Sequence, residues 1–309
     1  MGKIYFWSLS LGLITSTIIG YAQKPAGLPE NPVFSGYDPQ VLFAPGFYNG
    51  HSRPYHGANG APAANYWQNR ADYTLQASLD TASNVLTGEE TILYTNNSPD
   101  SLRSLWLQMD QNTYRADARS NFYTDGASSQ HTDGYILGSV KIDQGGIATT
   151  ADYIVTDTRL QIRLKKALPS GGGKIRIHIG YHYTVPGDFG NRTDYTTTAN
   201  GKIYEIAQWY PRMCVYDDTQ GWNTLPFLGS GEFYCEYGDF DYKVTLPWNM
   251  IVAGSGELQN PQETLTAKEQ ARLTTAKASD KTVMIHGPGD INDPASRPVQ
   301  KGTLTWHFK

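Results

Sequence analysis

Residues Tyr73 to Asp80 read YTLQASLD, and the fold turns on how that stretch is read. Tyr73, Leu75, Ala77 and Leu79 alternate with Thr74, Gln76, Ser78 and Asp80, the period of two expected of a strand with one buried face. A TASN loop leads to LTGEETILYTN, in which Ile92 and Tyr94 share a face, and NNSPDS supplies the next turn. SLRSLWLQMD, YIVTDTRLQIRLKKAL and KIRIHIGYHYTV continue the series, with turns at DQGG and PSGGGK. EFYCEYGDFDYKVTLP, MIVAGSGEL, TVMIHG and TLTWHFK read as further strands. Thr266 and Glu269 have the spacing of a capping box, and AKEQARLTTAKA beyond them is rich in helix formers. The sequence therefore predicts a mainly β chain: large antiparallel, sandwich-like sheets built as a meander, with one short helix near 265–278.

Composition agrees. Aromatic residues are 12% of the 309, with 21 Tyr, and charged residues only 17%, a balance typical of sheet-rich exported proteins. A net charge of -4 and no basic run longer than the pair Lys165–Lys166 exclude a nucleic-acid surface.

Residues 1–23, MGKIYFWSLSLGLITSTIIGYAQ, have one Lys, an apolar stretch and small residues before Ala22-Gln23. That is the layout of a secretory signal peptide, and the apolar run is too short and too broken by Ser and Thr for a membrane span. The chain is accordingly expected to be exported, to the periplasm or the extracellular space, with no membrane span after cleavage. Residues 24–65 are rich in Pro, Gly, Asn and Tyr without periodicity, so they are expected to form an extended arm. Residues 66–309 then form the β domain. The two cysteines, Cys214 and Cys235, could pair in an oxidising compartment or serve as small buried hydrophobes, and the sequence leaves both open.

Several constellations suggest chemistry. HIGYH, His178 to His182, has the outer positions of a zinc-binding helix, but Ile179 stands where that motif has its glutamate and the segment alternates as a strand. Residues four apart on a strand are about 13 Å apart, too far to share one metal. IYEIAQWYPRMCVYDD, Ile203 to Asp218, crowds together three carboxylates, a thiol and an arginine. The nearest histidine to Cys214 in sequence is His182, so no thiol–imidazole pair is legible. Asp217 and Asp218 point to opposite sides of an extended chain and are expected to accept backbone N–H groups in the turn through Thr219-Gln220-Gly221. In GSGEFYCEYGDFDYKVTLP, Phe233, Cys235 and Tyr237 fall on one strand face, with a bulge at Gly238.

In order, YWQNRADYTLQASLD, LTGEETILYTNNSPDSLRSLWLQMDQN, VTDTRLQIRL, AQWYPRMCVYDDTQGWNTLPFLGSGEFYCEYGDFDYKVTLP and IVAGSGELQNP resemble the N-terminal domain of M1-family zinc metallopeptidases. The type is aminopeptidase N, in the form of exported bacterial members of the Bacteroidetes kind. The resemblance runs from about Tyr37 to the last residue and is most specific from Gln208 to Glu257. It implies a saddle-like β domain that caps the substrate cleft of a thermolysin-like catalytic domain. That domain carries G-x-M-E-N and H-E-x-x-H, and neither motif is in this sequence. The nearest match, Gly229-Ser230-Gly231-Glu232-Phe233, has Gly for Met and Phe for Asn. By the resemblance the chain is a fragment or truncated frame without catalytic residues or cofactor of its own, with zinc expected in the missing domain. Its partners would be that catalytic domain and the amino terminus of a peptide substrate.

The family's N-terminal domain lends the active site a Gln or Glu near the substrate amino terminus. Counting back from Asp217 brings Glu205 to that role, with Gln208 as the alternative register, or Glu205 is simply an exposed strand residue. A second function stays open: a stand-alone secreted β-sandwich module that grips peptide or glycan through rings such as Trp209, Trp222 and Trp248.

Overall fold

The computed structural model describes residues 55–56, 60–122, 130–229, 231 and 234–309. Contacts divide the chain into Met1–Ser52 and Arg53–Lys309. The expected leader at 1–23 and most of the arm at 24–65 lie outside the described residues.

The strands follow as β1 (Arg70–Asp80), β2 (Val85–Asn96), β3 (Leu102–Gln108), β4 (Ile136–Asp143), β5 (Ala148–Thr150), β6 (Asp152–Thr156), β7 (Arg159–Leu168) and β8 (Gly173–Thr184). β9 (Thr193–Thr198), β10 (Gly201–Ile206), β11 (Arg212–Met213), β12 (Tyr216–Asp217), β13 (Gly221–Trp222), β14 (Phe240–Pro247) and β15 (Thr303–Phe308) complete the series. Seven strands form one sheet in the order β15-β14-β1-β2-β8-β4-β5, and four form a second, β11-β3-β7-β6. β9 with β10, and β12 with β13, make two small ribbons. The chain is thus mainly β with several antiparallel sheets, as its alternation predicts.

The YTLQASLD reading holds residue by residue. Tyr73, Leu75, Ala77 and Leu79 are buried and Thr74, Gln76, Ser78 and Asp80 point outward or toward the margin. Leu105 and Leu107 of β3 and Leu160 and Ile162 of β7 join the inward residues of β1, β2 and β8 in one core cluster. The two sheets therefore cover each other's apolar faces, which is the main source of stability in such a fold. The helix also lies where its capping box places it: α1 (Pro261–Thr264) is a single turn, and α2 (Ala267–Lys277) starts at Thr266, whose hydroxyl accepts from the Glu269 N–H while Glu269 accepts from the Thr266 N–H.

Three elements depart from the sequence reading. β1 and β14 run parallel, Tyr73 opposite Phe240 through Ser78 opposite Thr245, so the meander is not antiparallel throughout. Parallel neighbours need a long connection, and most of the chain lies between these two. MIVAGSGEL is no strand beyond the point where Glu257 exchanges two backbone bonds with Lys309. TVMIHG is not a strand either, because its His286 is drawn to Glu269, at 3.0 Å, and Arg297.

EFYCEYG also departs. The ladder begins only at Phe240, and before it the chain touches β1 through the Ala71 N–H on the Tyr237 carbonyl. Tyr237 is exposed and Glu236 buried, the reverse of the expected facing. Gly238 explains the lead-in: a Cβ there would lie 1.6 Å from the Ala71 carbonyl oxygen, so no side chain fits. Gly238→Ala should therefore cost about 3 kcal/mol, the upper end of ordinary overpacking, read as a lower urea midpoint; an unchanged midpoint would show that this strap does not hold β14 against β1.

Candidate functional site

A cleft of about 1250 Å³ opens among the described residues. Its floor is the core face of β1 and β14, including Leu75, Ala77, Phe240 and Tyr242. One wall is the chain from Asn200 to Tyr210 and the other is the strap from Asn249 to Gly256. Aliphatic and aromatic side chains line it together with Asn200, Lys202, Gln208, Arg212, Asp239 and Asn249, and ligand clefts usually combine apolar walls with orienting polar groups.

The two residues singled out in sequence sit differently. Glu205 is exposed on β10, in register with Asp194 of β9, and is not among the residues lining the cleft. The alternation of the hairpin accounts for this: Lys202, Tyr204 and Ile206 turn inward and Glu205 turns out. Gln208 does line the cleft and is half-buried. It follows the last residue pairs of the hairpin and has a left-handed backbone, φ 48°, which is uncommon for a residue other than glycine.

That conformation is held from behind. The Gln208 carbonyl accepts from Gln111 Nε2 at 3.0 Å and from the Tyr135 hydroxyl at 2.9 Å. Gln111 also donates to the Ala207 carbonyl at 3.3 Å. A non-glycine residue fixed in the left-handed region by surrounding structure is the kind of local strain that clusters at ligand sites.

Gln111 owes its position to its neighbour. Asp110 takes Arg212 Nε at 2.9 Å and Nη2 at 2.6 Å, and both side chains are buried. Burial raises the Asp110 carboxyl above its ordinary value against the pull of Arg212. Burial likewise opposes the Arg212 charge, and Asp110 outweighs it. Arg212 also donates to Gln108 Oε1 at 3.1 Å and to Cys235 Sγ at 3.0 Å. Asp110 and Gln111 were not legible as partners of the QWYPRM stretch, because a turn of MDQN beside a strand carries no signal of what lies about a hundred residues on.

The remaining candidates fall into structural roles. Asp217 accepts from the Thr219 and Gln220 N–H groups at 2.9 and 2.8 Å, the turn role expected of it. Asp218 instead meets His56 Nδ1 at 2.9 Å. Cys214 and Cys235 are both free, and burial pushes the Cys214 thiol up to about 12, so it is not a nucleophile. His178 lies on β8, paired with the Thr91 hydroxyl at 2.9 Å. Among the described residues no three or more His, Cys, Asp or Glu side chains come together as a metal site would need. No described helix is long and apolar enough to cross a membrane. Trp209, Trp222 and Trp248 are half-buried and packed against the core, and Trp209 also lines the cleft.

No protein-family model matches the chain, and no curated protein matches it. Solved structures do. A two-domain M1 zinc metallopeptidase mutant bound to L-tryptophan aligns at 16% identity and TM-score 0.38 over 80% of this chain and 40% of that one. An M1 zinc metallopeptidase mutant from Deinococcus radiodurans bound to a Tyr-Ser-Ala substrate aligns at 16% identity and TM-score 0.37, over 77% and 38%. The M1 zinc metallopeptidase from the same organism gives 13% and TM-score 0.36, over 80% and 40%. The chain thus spans about 40% of the length of the solved structures it matches.

Glu236, buried beside Tyr216, gives this region a pH dependence. Burial raises its carboxyl from 4.5 to about 7, although the Tyr216 N–H opposes the shift. A raised folded value means that its stabilising contribution is complete below about pH 4.5 and is lost as pH rises through 7. Relative to the native chain, Glu236→Gln should gain roughly 3 kcal/mol between pH 4 and pH 8 in urea unfolding; a constant difference across that range would show that Glu236 ionises as it does in water.

Proposed function

We propose that the chain is the N-terminal, cleft-capping domain of an exported M1-like zinc aminopeptidase and that Gln208 is its contribution to substrate recognition. The observation that carries the reading is the Gln208 turn: a strained backbone, pinned by Gln111 and Tyr135, that presents a side-chain amide at the wall of the cleft. It is supported by the sequence resemblance, whose most specific part begins at this residue.

The chemistry is simple. The amide oxygen of Gln208 accepts a hydrogen bond from the ammonium of a peptide's first residue, and a charged donor makes that bond stronger than a neutral pair. The surrounding rings exclude water and receive the first side chain. Peptide hydrolysis belongs to the catalytic domain, which would hold the zinc, and this chain contributes orientation only. On this reading the isolated chain neither binds stoichiometric zinc nor cleaves aminoacyl-nitroanilides.

Glu205, outside the cleft, has no part in this role. In the protein that joins this domain to its catalytic partner, Gln208→Ala should lower kcat/KM for aminoacyl-nitroanilides by roughly 10- to 100-fold, the loss of one hydrogen bond to a charged group. Glu205→Ala should change it less than about twofold, within the range of exposed substitutions. The reverse ranking would move the role to Glu205, and chelator-sensitive cleavage by the isolated chain would overturn the proposal.

A further inference from the structure

Glu90 faces the core. Its strand alternates Leu86, Gly88, Glu90, Ile92 and Tyr94 inward, so the carboxyl is carried onto the apolar face between Leu75 of β1 and Ile179 of β8. It is only 3% exposed, and neither oxygen meets a hydrogen-bond partner among the described residues. A buried polar group without a partner costs on the order of 1–3 kcal/mol, more if charged, so a carboxyl persisting there calls for a cause.

It is not alone. Among the described residues, six of the eleven buried side-chain nitrogens and oxygens without a partner belong to Glu90, Tyr181, Tyr183, Asp110 and Gln111. Register brings Tyr181 beside Glu90: it pairs with Gly88, two residues away on the same face, and its hydroxyl lies 2.5 Å from where a Gly88 Cβ would be. Same-side positions two apart on a strand are about 7 Å apart, within the reach of a glutamate side chain and short of a direct bond.

Above them lies Tyr135, edge-on to Tyr181 at 5.4 Å and to Tyr183 at 5.3 Å. Burial foremost, with Tyr183, Tyr181, Asp110 and Glu90 after it, pushes its hydroxyl well above the ordinary value. Burial foremost, with Tyr210 after it, raises the Tyr73 hydroxyl of β1, burial raises that of Tyr210 at the cleft wall, and the Asp110–Arg212 pair is the buried ion pair of this region. Burial alone holds the Glu90 carboxyl well above the usual carboxylate range, and a protonated carboxyl can both donate and accept.

We propose that Glu90 and Tyr181 hold internal water beneath Tyr135, and that this hydrated group supports the turn presenting Gln208, making Glu90 a positioning residue of the cleft wall. Buried polar groups too far apart to bond directly are commonly joined by a water making two to four hydrogen bonds. The link to the cleft is direct, because the Tyr135 hydroxyl that leaves this group ends on the Gln208 carbonyl. What the turn presents to a ligand rests on the function proposed above; the water and its support of the turn do not.

The test uses the full chain with Glu90→Gln, which keeps polar atoms, and Glu90→Leu, which keeps volume alone. Isotope-edited infrared spectra at neutral pH should show an un-ionised glutamic acid that disappears in Glu90→Gln. Amide exchange at Ala207, whose N–H donates to the Arg192 carbonyl, should stay within about twofold in Glu90→Gln and quicken about tenfold in Glu90→Leu, the loss of one net hydrogen bond. If Leu prevents folding, a high-resolution crystal structure of the native chain decides: water within hydrogen-bond distance of Glu90 and Tyr181 is expected. An ionised Glu90, unchanged exchange in Glu90→Leu or a dry contact would each overturn the proposal. Should these results hold while Gln208→Ala leaves kcat/KM intact, the hydrated support stands and the recognition role falls.

Discussion

The buried pair of Asp110 and Arg212 fixes the cleft wall. It joins the turn after β3 to β11, 102 residues further along the chain, and it sets Gln111 against the carbonyls of Ala207 and Gln208. Such a pair gains little net stability, since the cost of desolvating two charges offsets their attraction. Its consequence is geometric. Once both charges are buried, neither partner can leave without stranding the other at a cost of about 3–5 kcal/mol, so the segment between the β9–β10 hairpin and β11 has one arrangement.

The wall and the floor of the cleft follow from different physics. The floor is the core face of β1, central to the seven-stranded sheet, and of β14 beside it. The half-buried rings of Phe240 and Tyr242 then line an opening beside the buried Leu75 and Ala77. The wall is polar behind and apolar in front: Gln111, Tyr135 and Asp110 hold the backbone, while Trp209 and Tyr210 face the cleft. Gln208 shares that lining with Asn200, Asn249 and Asp239, and its carbonyl is held from behind by Gln111 and Tyr135.

Much of the fold was legible because strand alternation is a local signal. Tyr73 to Leu79, the HIGYH strand and the Thr266–Glu269 capping box each declare themselves within a few residues. What was not legible depends on distant partners. The parallel partner of β1 is set by Gly238 lying against Ala71, and TVMIHG reads as a strand until Glu269 and Arg297 claim its histidine. The candidate site divides the same way. The resemblance brought Glu205 and Gln208 forward together, and only the hairpin's facing separates them. Glu90 gave no sign at all, because in LTGEETILYTN it looks like the second of two solvated glutamates, and its inward facing depends on which face of β2 meets the core.

The most direct measurement of the central claim is a crystal structure of this domain joined to its catalytic partner, with an amino-acid amide bound. The account expects the ligand's α-ammonium within hydrogen-bond distance of the Gln208 amide oxygen, with the Gln208 carbonyl still held by Gln111 and Tyr135. A ligand whose ammonium is met by other groups, with the Gln208 side chain turned away from the cleft, would contradict it.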